Sequence, residues 1–375
     1  MKIDIITLHR VRNYGSSLQT LATQKTLEKL GCQTEIIDYY PERYTSVGLL
    51  KRLKYKSDKL AKNPILLFGA RVIISFSYTK KKIVFDKFLK KYIKMTSKTY
   101  RSEKELLEDI PDADAYCTGS DQVWNSHWNE GVDRPFYLSF LPEDKYKFSY
   151  AASIGNAELS EKEASEVIPL FEQYKHISVR ENTGIDIMEK LGFKSVKQML
   201  DPTLLFNGEE WQKYTSDRFK NKKYVLTYNL HHDKRIDDYA MEVAKANGLK
   251  VYNITYNIHD IIRKGTIKWC PTVEEYLGLI RDAQYVVSDS FHATVFSLMF
   301  NKKFMIIYPE QASSRIRSIL ELLNLQDRGS EDIPSVDKIM EDIDYSNVDK
   351  ILDSEREKSI DYLNMVLSEV STYNK

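Results

Sequence analysis

Residues 2–38, KIDIITLHRVRNYGSSLQTLATQKTLEKLGCQTEIID, hold a strand, a helix and a second strand in one short run. Ile3 to Leu8 is an apolar run of strand length. Leu18, Leu21, Ala22 and Leu30 recur at helical spacing, and Gly31 is a stop signal. Thr34 to Asp38 returns to strand character. A strand, a crossover helix and a parallel strand make a βαβ unit, the building block of α/β folds.

Outward from this unit, the rhythm breaks over residues 45–98, which read as a basic helical insertion in the first domain. Alternation then resumes, with strands expected at Ala115–Cys117, Phe148–Ala152, His176–Val179 and Ser195–Leu200. Helices are expected near 161–175 and before Gly192. Pro202 and the polar, Trp211-containing stretch 206–222 mark a crossing. A second series follows, with strands at Tyr224–Tyr228, Lys250–Ile254, Gln284–Val287 and Phe304–Ile307 and helices at 234–247, 273–281 and 291–300. Two successive blocks predict two Rossmann-like, doubly wound, largely parallel sheets. The expected division is 1–205, 206–345, and a C-terminal helix over 346–375 that packs back across the junction.

Composition agrees with a globular chain of two domains. The 375 residues are 42% hydrophobic and 29% charged, with little Gly or Pro, which excludes a collagenous or long disordered protein. Cys32, Cys117 and Cys270 form no CxxC or Cys/His cluster. Neither zinc nor a disulfide framework is expected, and a reducing cytosol fits best. The N-terminus reads as a first strand and not as a signal peptide. The longest apolar stretch, Pro64–Tyr78, contains Arg71 and is too short to span a bilayer.

The net charge of +1 conceals an asymmetry. Between Lys51 and Lys94, fourteen Lys and Arg face only Asp58 and Asp86, a local charge of +12, so the remainder carries −11. An apolar run from Ile65 to Ile74 lies inside this basic arm, after Leu49, Leu50 and Leu53. Such a segment is expected to lie on an anionic membrane surface through residues 51–94, with the body cytoplasmic and the arm on the inner face of the membrane. The alternative is that its apolar residues pack on the protein's own core. The acidic remainder argues against nucleic acid as a partner.

Ligands of open α/β sheets bind at the carboxyl ends of strands. Four places there carry chemistry-bearing residues. Asn13-Tyr14-Gly15-Ser16-Ser17 follows the first strand and offers a glycine, hydroxyls and a helix N-terminus, or else a plain turn with Ser16 or Ser17 as cap. Gly119-Ser120-Asp121-Gln122-Val123-Trp124-Asn125 offers a carboxylate, amides and an indole suited to a sugar, unless Trp124 is core. Arg180 closes a strand and aims a fork of donors suited to a carboxylate or phosphate, unless it only pairs with Glu181. His292 begins a helix beside Ser288, Asp289 and Ser290, whereas His231, His232 and His259 take the structural reading.

Taken in order, NYGSSLQ (13–19), GSDQVWN (119–125), YAASIG (150–155), SVRE (178–181), DPTLL (201–205) and SFHA (290–293) resemble the polysaccharide pyruvyl transferase family. The resemblance covers residues 3–330. It implies a GT-B-like pair of Rossmann-like domains and transfer of pyruvate from phosphoenolpyruvate onto a sugar as a ketal in cell-surface polysaccharide biosynthesis. Phosphoenolpyruvate is a co-substrate, and no cofactor or metal is implied. Arg180, His292, Ser290 and Arg315 are then the donor-binding residues, with His292 as acid and Asp121 as base. Asn13, Tyr14, Gly15, Asp121, Gln122, Trp124 and Asn125 face the acceptor, a lipid-linked sugar. Members often carry arginine two positions before the histidine, where this chain has Ser290; Arg315 or Arg317 would supply the cation. Rival readings are a GT-B nucleotide-sugar glycosyltransferase and a non-catalytic, membrane-docked scaffold of a polysaccharide assembly complex.

Overall fold

The computed structural model describes residues 1–49, 64–155, 158–309 and 313–373. They divide into two compact units, one of residues 1–41, 89–206 and 349–375, the other of residues 42–88 and 207–348.

The first unit is built on a parallel sheet. Strands β1 (Lys2–Ile6), β2 (Gln33–Tyr39), β3 (Met95–Tyr100), β4 (Ala115–Thr118) and β5 (Lys147–Ser149) are ordered β3-β2-β1-β4-β5. A two-stranded parallel piece, β6 (Ser178–Val179) with β7 (Lys197–Gln198), continues the sheet through single bridges from Phe148 to His176 and Ala152 to Val179. Ile3, Ile5 and Ile6 are fully buried, as expected of a strand covered on both faces.

The crossover helix runs from Tyr14 to Lys29. Its cap is Asn13, whose side chain accepts from the Gly15 N–H at 2.8 Å, and not Ser16 or Ser17. Its end is a Schellman turn, in which Gly31 (φ 87°) and Cys32 donate to the carbonyls of Glu28 and Leu27. The helix is buried although polar, and its side chains find partners. Gln19 donates to Thr7, Thr20 to the Ser16 carbonyl, and Gln24 exchanges hydrogen bonds with the Lys94 backbone.

The second unit holds β8 (Tyr224–Tyr228), β9 (Lys250–Thr255), β10 (Thr266–Trp269), β11 (Tyr285–Ser288), β12 (Lys303–Ile307) and β13 (Gly329–Ser330). Their order, β10-β9-β8-β11-β12-β13, is all parallel and follows the Rossmann plan. Val225, Val287, Met305 and Ile307 from the sheet pack with Ile236, Tyr239 and Val243 of the helix Lys234–Ala246. The short edge strands β10 and β13 fall where the sequence reading expected none. Their few residues carry no run of apolar character.

A helix spans Pro64–Tyr92 within the basic arm. Residues 42–88 group with the second unit, whereas the sequence reading attached the insertion to the first domain. Contacts explain the difference. Phe85 packs near Tyr256, Lys81 lies over the same ring, Lys80 lies over Trp269, and Ser77 accepts from the Ile258 N–H at 3.1 Å. Leu50, Leu53 and Lys51 to Lys62 lie outside the described residues. The last helix, Tyr345–Tyr373, returns from Asp349 onward to the first unit, where Ser359 accepts from Leu200 and Tyr362 donates to Ser149. Among the described residues no helix is long and apolar enough to cross a membrane.

Candidate functional site

In the first unit, the turns after β1 and β4 meet. Ser16 donates to Oδ2 of Asp121 at 2.5 Å, and Oδ1 of Asp121 accepts from the Gln122 N–H at 2.9 Å. Asp121 adopts φ 74° and nearby Ala151 φ 48°, both in the left-handed region. An alanine there costs about 1 kcal/mol or more, which the surrounding sheet must sustain. Strain of this kind concentrates at ligand sites, and here it sits at the carboxyl ends of β4 and β5. Gly155 (φ 69°) closes the neighbourhood; a Cβ on it would strike the Asn125 amide and approach Gln122 Oε1 to 2.7 Å. Asn13, Gly15, Asp121, Gln122 and Asn125 are therefore gathered at one sheet edge.

Two residues differ from expectation. Trp124 is 1% exposed, donates through its indole to the Phe136 carbonyl, and packs among Tyr137, Phe171 and Tyr174. It is a core residue and presents no face to a sugar. Tyr14 is likewise fully buried.

Arg180 is not a free fork. It is buried, with Nη1 2.6 Å from Asp201 Oδ2 and Nε 3.5 Å from Glu181 Oε2. Burial works against its charge, but Asp201, Glu181 and Asp121 more than offset this and raise its pKa. Asp201 also accepts from Thr203 and, at 3.4 Å, from Ser120; Glu181 accepts from Ser153 at 2.6 Å. One guanidinium among three carboxylates is an acidic neighbourhood. It orders the loop holding Ser120 and Asp121 more directly than it welcomes a second anion.

In the second unit, β11 ends in Ser288 and leads through Asp289 to Ser290, whose hydroxyl caps the helix Phe291–Met299 at Ala293. Asp289 turns toward the loop after β8. Its carboxylate accepts from the Leu230 N–H (2.8 Å), the His231 N–H (2.9 Å) and His231 Nδ1 (2.8 Å). That hydrogen bond raises the pKa of His231, against burial and the nearby charge of Arg315. The His231 side chain is 49% exposed, so an oriented, readily protonated imidazole faces solvent. His292, on the capped helix, is 7% exposed.

Arg315 and Arg317 part company. Arg317 pairs with Glu331 at 2.7 Å and lies over Tyr308. Arg315 lies over the ring of Phe291, and its charge reaches His231. Arg315, unlike Arg317, thus lies over the first residue of the Ser290-capped helix. His231 itself escaped the sequence reading, although its position three residues past the end of β8 was the signal that singled out the other sites. Among the described residues, no group of three or more His, Cys, Asp or Glu is placed to hold a metal ion.

Each of the two large sheets thus carries a carboxylate, Asp121 or Asp289, beside the N-terminus of a helix. The S. aureus MnaA–UDP co-structure is similar at a TM-score of 0.50 and 11% identity, covering 95% of this chain and 88% of that one. UDP-GlcNAc 2-epimerase from Methanocaldococcus jannaschii (TM-score 0.49, 12% identity, 98% and 100% covered) and Arabidopsis thaliana UGT89C1 complexed with quercetin (0.47, 10%, 100% and 99%) are also similar. At such identities the likeness concerns the fold alone, a GT-B-like pair of Rossmann-like domains. No curated protein matches. The sequence family described as polysaccharide pyruvyl transferase matches residues 13–311, across both sheet edges, and the chain belongs to that family.

Proposed function

We propose that the protein transfers pyruvate from phosphoenolpyruvate to two hydroxyls of a sugar, forming a cyclic ketal during cell-surface polysaccharide synthesis. The observation that carries this reading is the Asp289–His231 pair beside the Ser290-capped helix, where an acid and cationic groups share one sheet edge. Phosphoenolpyruvate brings a carboxylate and a phosphate. The helix N-terminus, Ser290, His292 and Arg315 complement those charges. A proton delivered to the terminal carbon of the enol makes it a methyl group and leaves C2 electron-poor. A sugar hydroxyl adds to C2 and loses its proton to a base. Phosphate then leaves with the electrons of its C–O bond, and a second hydroxyl closes the ketal. Two hydroxyl protons are released: one replaces the proton used at the methyl group and the other leaves with phosphate.

Asp121 is the proposed base. It is buried at the carboxyl end of β4, 6% exposed, and Ser16 fixes one of its oxygens. Arg180 acts in this reading by holding Asp201 and Glu181 behind the Ser120–Asp121 turn. Phosphate release from phosphoenolpyruvate, followed with a panel of soluble and lipid-linked galactose-type acceptors and mass analysis of the product, tests the reading. A product heavier by one pyruvyl ketal is expected. Turnover of a nucleotide sugar with no response to phosphoenolpyruvate would replace it with glycosyl transfer.

The acceptor is proposed to be lipid-linked, with the protein bound peripherally at the inner face of the cytoplasmic membrane. In support, the helix Pro64–Tyr92 exposes Phe68 (68%), Phe76 (61%) and Ile83 (60%), with Val72 between them. At 100° per residue these four fall on one stripe. An apolar stripe on a lysine-rich helix complements an anionic lipid surface.

A further inference from the structure

Three cations crowd one buried ring beside the edge strand β10 of the second unit, and the proposed chemistry uses none of them. Phe219 lies in the turn that enters β8 and is 4% exposed. Its ring packs edge-on against Tyr252 of β9, which in turn stacks on Tyr224 of β8. The Arg218 guanidinium carbon and the Lys222 and Lys268 ammonium nitrogens lie 5.7, 5.8 and 5.2 Å from the Phe219 centroid, respectively. Lys268, in β10, also stands 3.8 Å from the Tyr252 centroid.

One carboxylate answers the three charges. Arg218 pairs with Glu275 at 2.5 Å, and the other oxygen of Glu275 takes the Thr272 N–H at 2.9 Å in the cap of the helix Val273–Asp282. Among the described residues, the ammonium groups of Lys222 and Lys268 contact aromatic faces and have no carboxylate within ion-pair distance. Lys268 is half-buried. Burial lowers its pKa, and the charges of Lys222 and Arg218 lower it further, against a smaller opposing effect of Glu275. A ring face attracts an ammonium but carries no net charge. Three cations and one carboxylate therefore leave a local charge of +2, which draws a counter-ion.

We infer that Lys222 and Lys268, with Arg218 at the rim, bind a phosphomonoester group. The assignment is independent of the transferase chemistry, because the turn holding Phe219 and Lys222 enters β8 at its amino end, whereas His231 and Asp289 lie past the carboxyl ends of β8 and β11. A phosphomonoester carries about −1.5 to −2 charges near neutral pH, which matches the two unanswered cations; a carboxylate would neutralise only one. Ammonium groups act as point charges with rotatable donors, so they meet a tetrahedral oxyanion from separate directions. The site is open to approach, since Lys222 is exposed and the Arg218 side chain is 68% exposed. Inorganic phosphate and a lipid with a phosphomonoester headgroup present the same group, and experiment separates these two sources.

Inorganic phosphate titrated calorimetrically into the full chain at constant ionic strength tests the site without any turnover. Wild type is expected to bind, more tightly as rising pH strips the second phosphate proton. The double variant Lys222→Gln/Lys268→Gln is expected to lose roughly tenfold or more in affinity, and Lys268→Arg, which keeps the charge, to lose less. The difference between wild type and the double variant isolates this site from the anion site proposed at Ser290. Circular dichroism of each variant establishes that it is folded, and Lys222→Gln alone, at an exposed position, carries the test where the double variant unfolds. Co-sedimentation that depends on the two lysines with phosphatidic acid vesicles, and not with phosphatidylcholine, identifies a lipid headgroup. Lysine-dependent binding of free phosphate alone identifies a soluble phosphate, and either result supports the site. Absence of phosphate binding to wild type, equal binding by the folded lysine variants, or competition by acetate as strong as by sulfate overturns the assignment.

Discussion

His231 Nδ1 lies 2.8 Å from the carboxylate of Asp289, a residue fifty-eight positions later in the chain. The carboxylate also takes two backbone N–H groups of the same loop, so the ring is fixed in orientation while Nε2 points away from Asp289. The pair is an acid waiting for a substrate. Its pKa is raised in the folded state, so its contribution to stability is complete below the unfolded value of 6.5 and fades as pH rises through the folded value. The melting-temperature gap between wild type and His231→Gln is accordingly expected to be widest in mild acid and to shrink in mild alkali. Turnover of His231→Gln is expected to fall by about 10²-fold. A gap that stays flat with pH would show that the pair is not ionic.

Arg180→Ala is expected to destabilise the first unit by about 3–5 kcal/mol, because Asp201 and Glu181 would be left buried beside Asp121 with no cation. Urea denaturation measures this directly. Arg180→Lys should recover only part, since an ammonium reaches one carboxylate and loses the planar fork. If Arg180→Ala unfolds at the wild-type urea concentration yet no longer turns over, the residue binds substrate and does not serve the scaffold.

Trp124→Ala should cost roughly 3–5 kcal/mol through the cavity left among Tyr137, Phe171 and Tyr174. Chemical denaturation reads the loss. A variant of unchanged stability with a raised acceptor KM would return Trp124 to the sugar site.

The helices and central strands were legible because their apolar periodicity is unbroken; Tyr224–Tyr228 is read from the sequence at its observed bounds. The candidate sites were legible for a related reason, since residues just past a strand can face a ligand whatever their identity. Partners were not legible. Nothing local in SVRE says that Arg180 will meet Asp201, twenty-one residues on, or that Asp289 will bend back to His231. Trp124 shows the same limit, because an indole beside an amide looks alike in a core and in a sugar site. Lys222 and Lys268 meet at Phe219 only when β8, β9 and β10 are laid side by side.

Asp4 offers a test of buried charge. It is fully buried in β1, its oxygens accept no hydrogen bond among the described residues, and Lys2 Nζ stands 3.6 Å away. Burial, only partly opposed by Lys2, pushes its pKa up to about 7. The folded state thus holds a proton that the unfolded chain releases near 3.8. Stability should decline as pH rises between those values and remain lowered above them. Asp4→Asn is expected to raise the melting temperature above pH 7 and to have little effect below pH 4, as followed by thermal denaturation across that range. Equal effects at both ends would mean that Asp4 is ionised throughout.

The helix Pro64–Tyr92 decides whether the protein works at a membrane. One face is committed to the second unit, where Ser77, Val84, Phe85 and Phe88 are buried. The opposite face keeps Phe68, Val72, Phe76 and Ile83 in solvent, which costs free energy unless something covers them. Lys80, Lys81 and Lys82 lie between Phe76 and Ile83, and each basic residue near an anionic surface contributes about 1 kcal/mol. That stabilisation is screened in high salt, whereas the apolar part persists. Co-sedimentation is therefore expected with vesicles rich in anionic lipid, to weaken with salt, and to be much lower with neutral vesicles. Phe68→Ser/Phe76→Ser should reduce binding at every salt concentration, and Lys80→Glu/Lys82→Glu chiefly at low salt. Phe68 and Phe76 lie off the buried face, whereas Lys80 lies over Trp269, so circular dichroism of each variant establishes that it is folded. Full-length protein that stays in the supernatant with anionic vesicles at low salt, or variants that sediment as wild type does, would show that the stripe serves something other than a lipid surface.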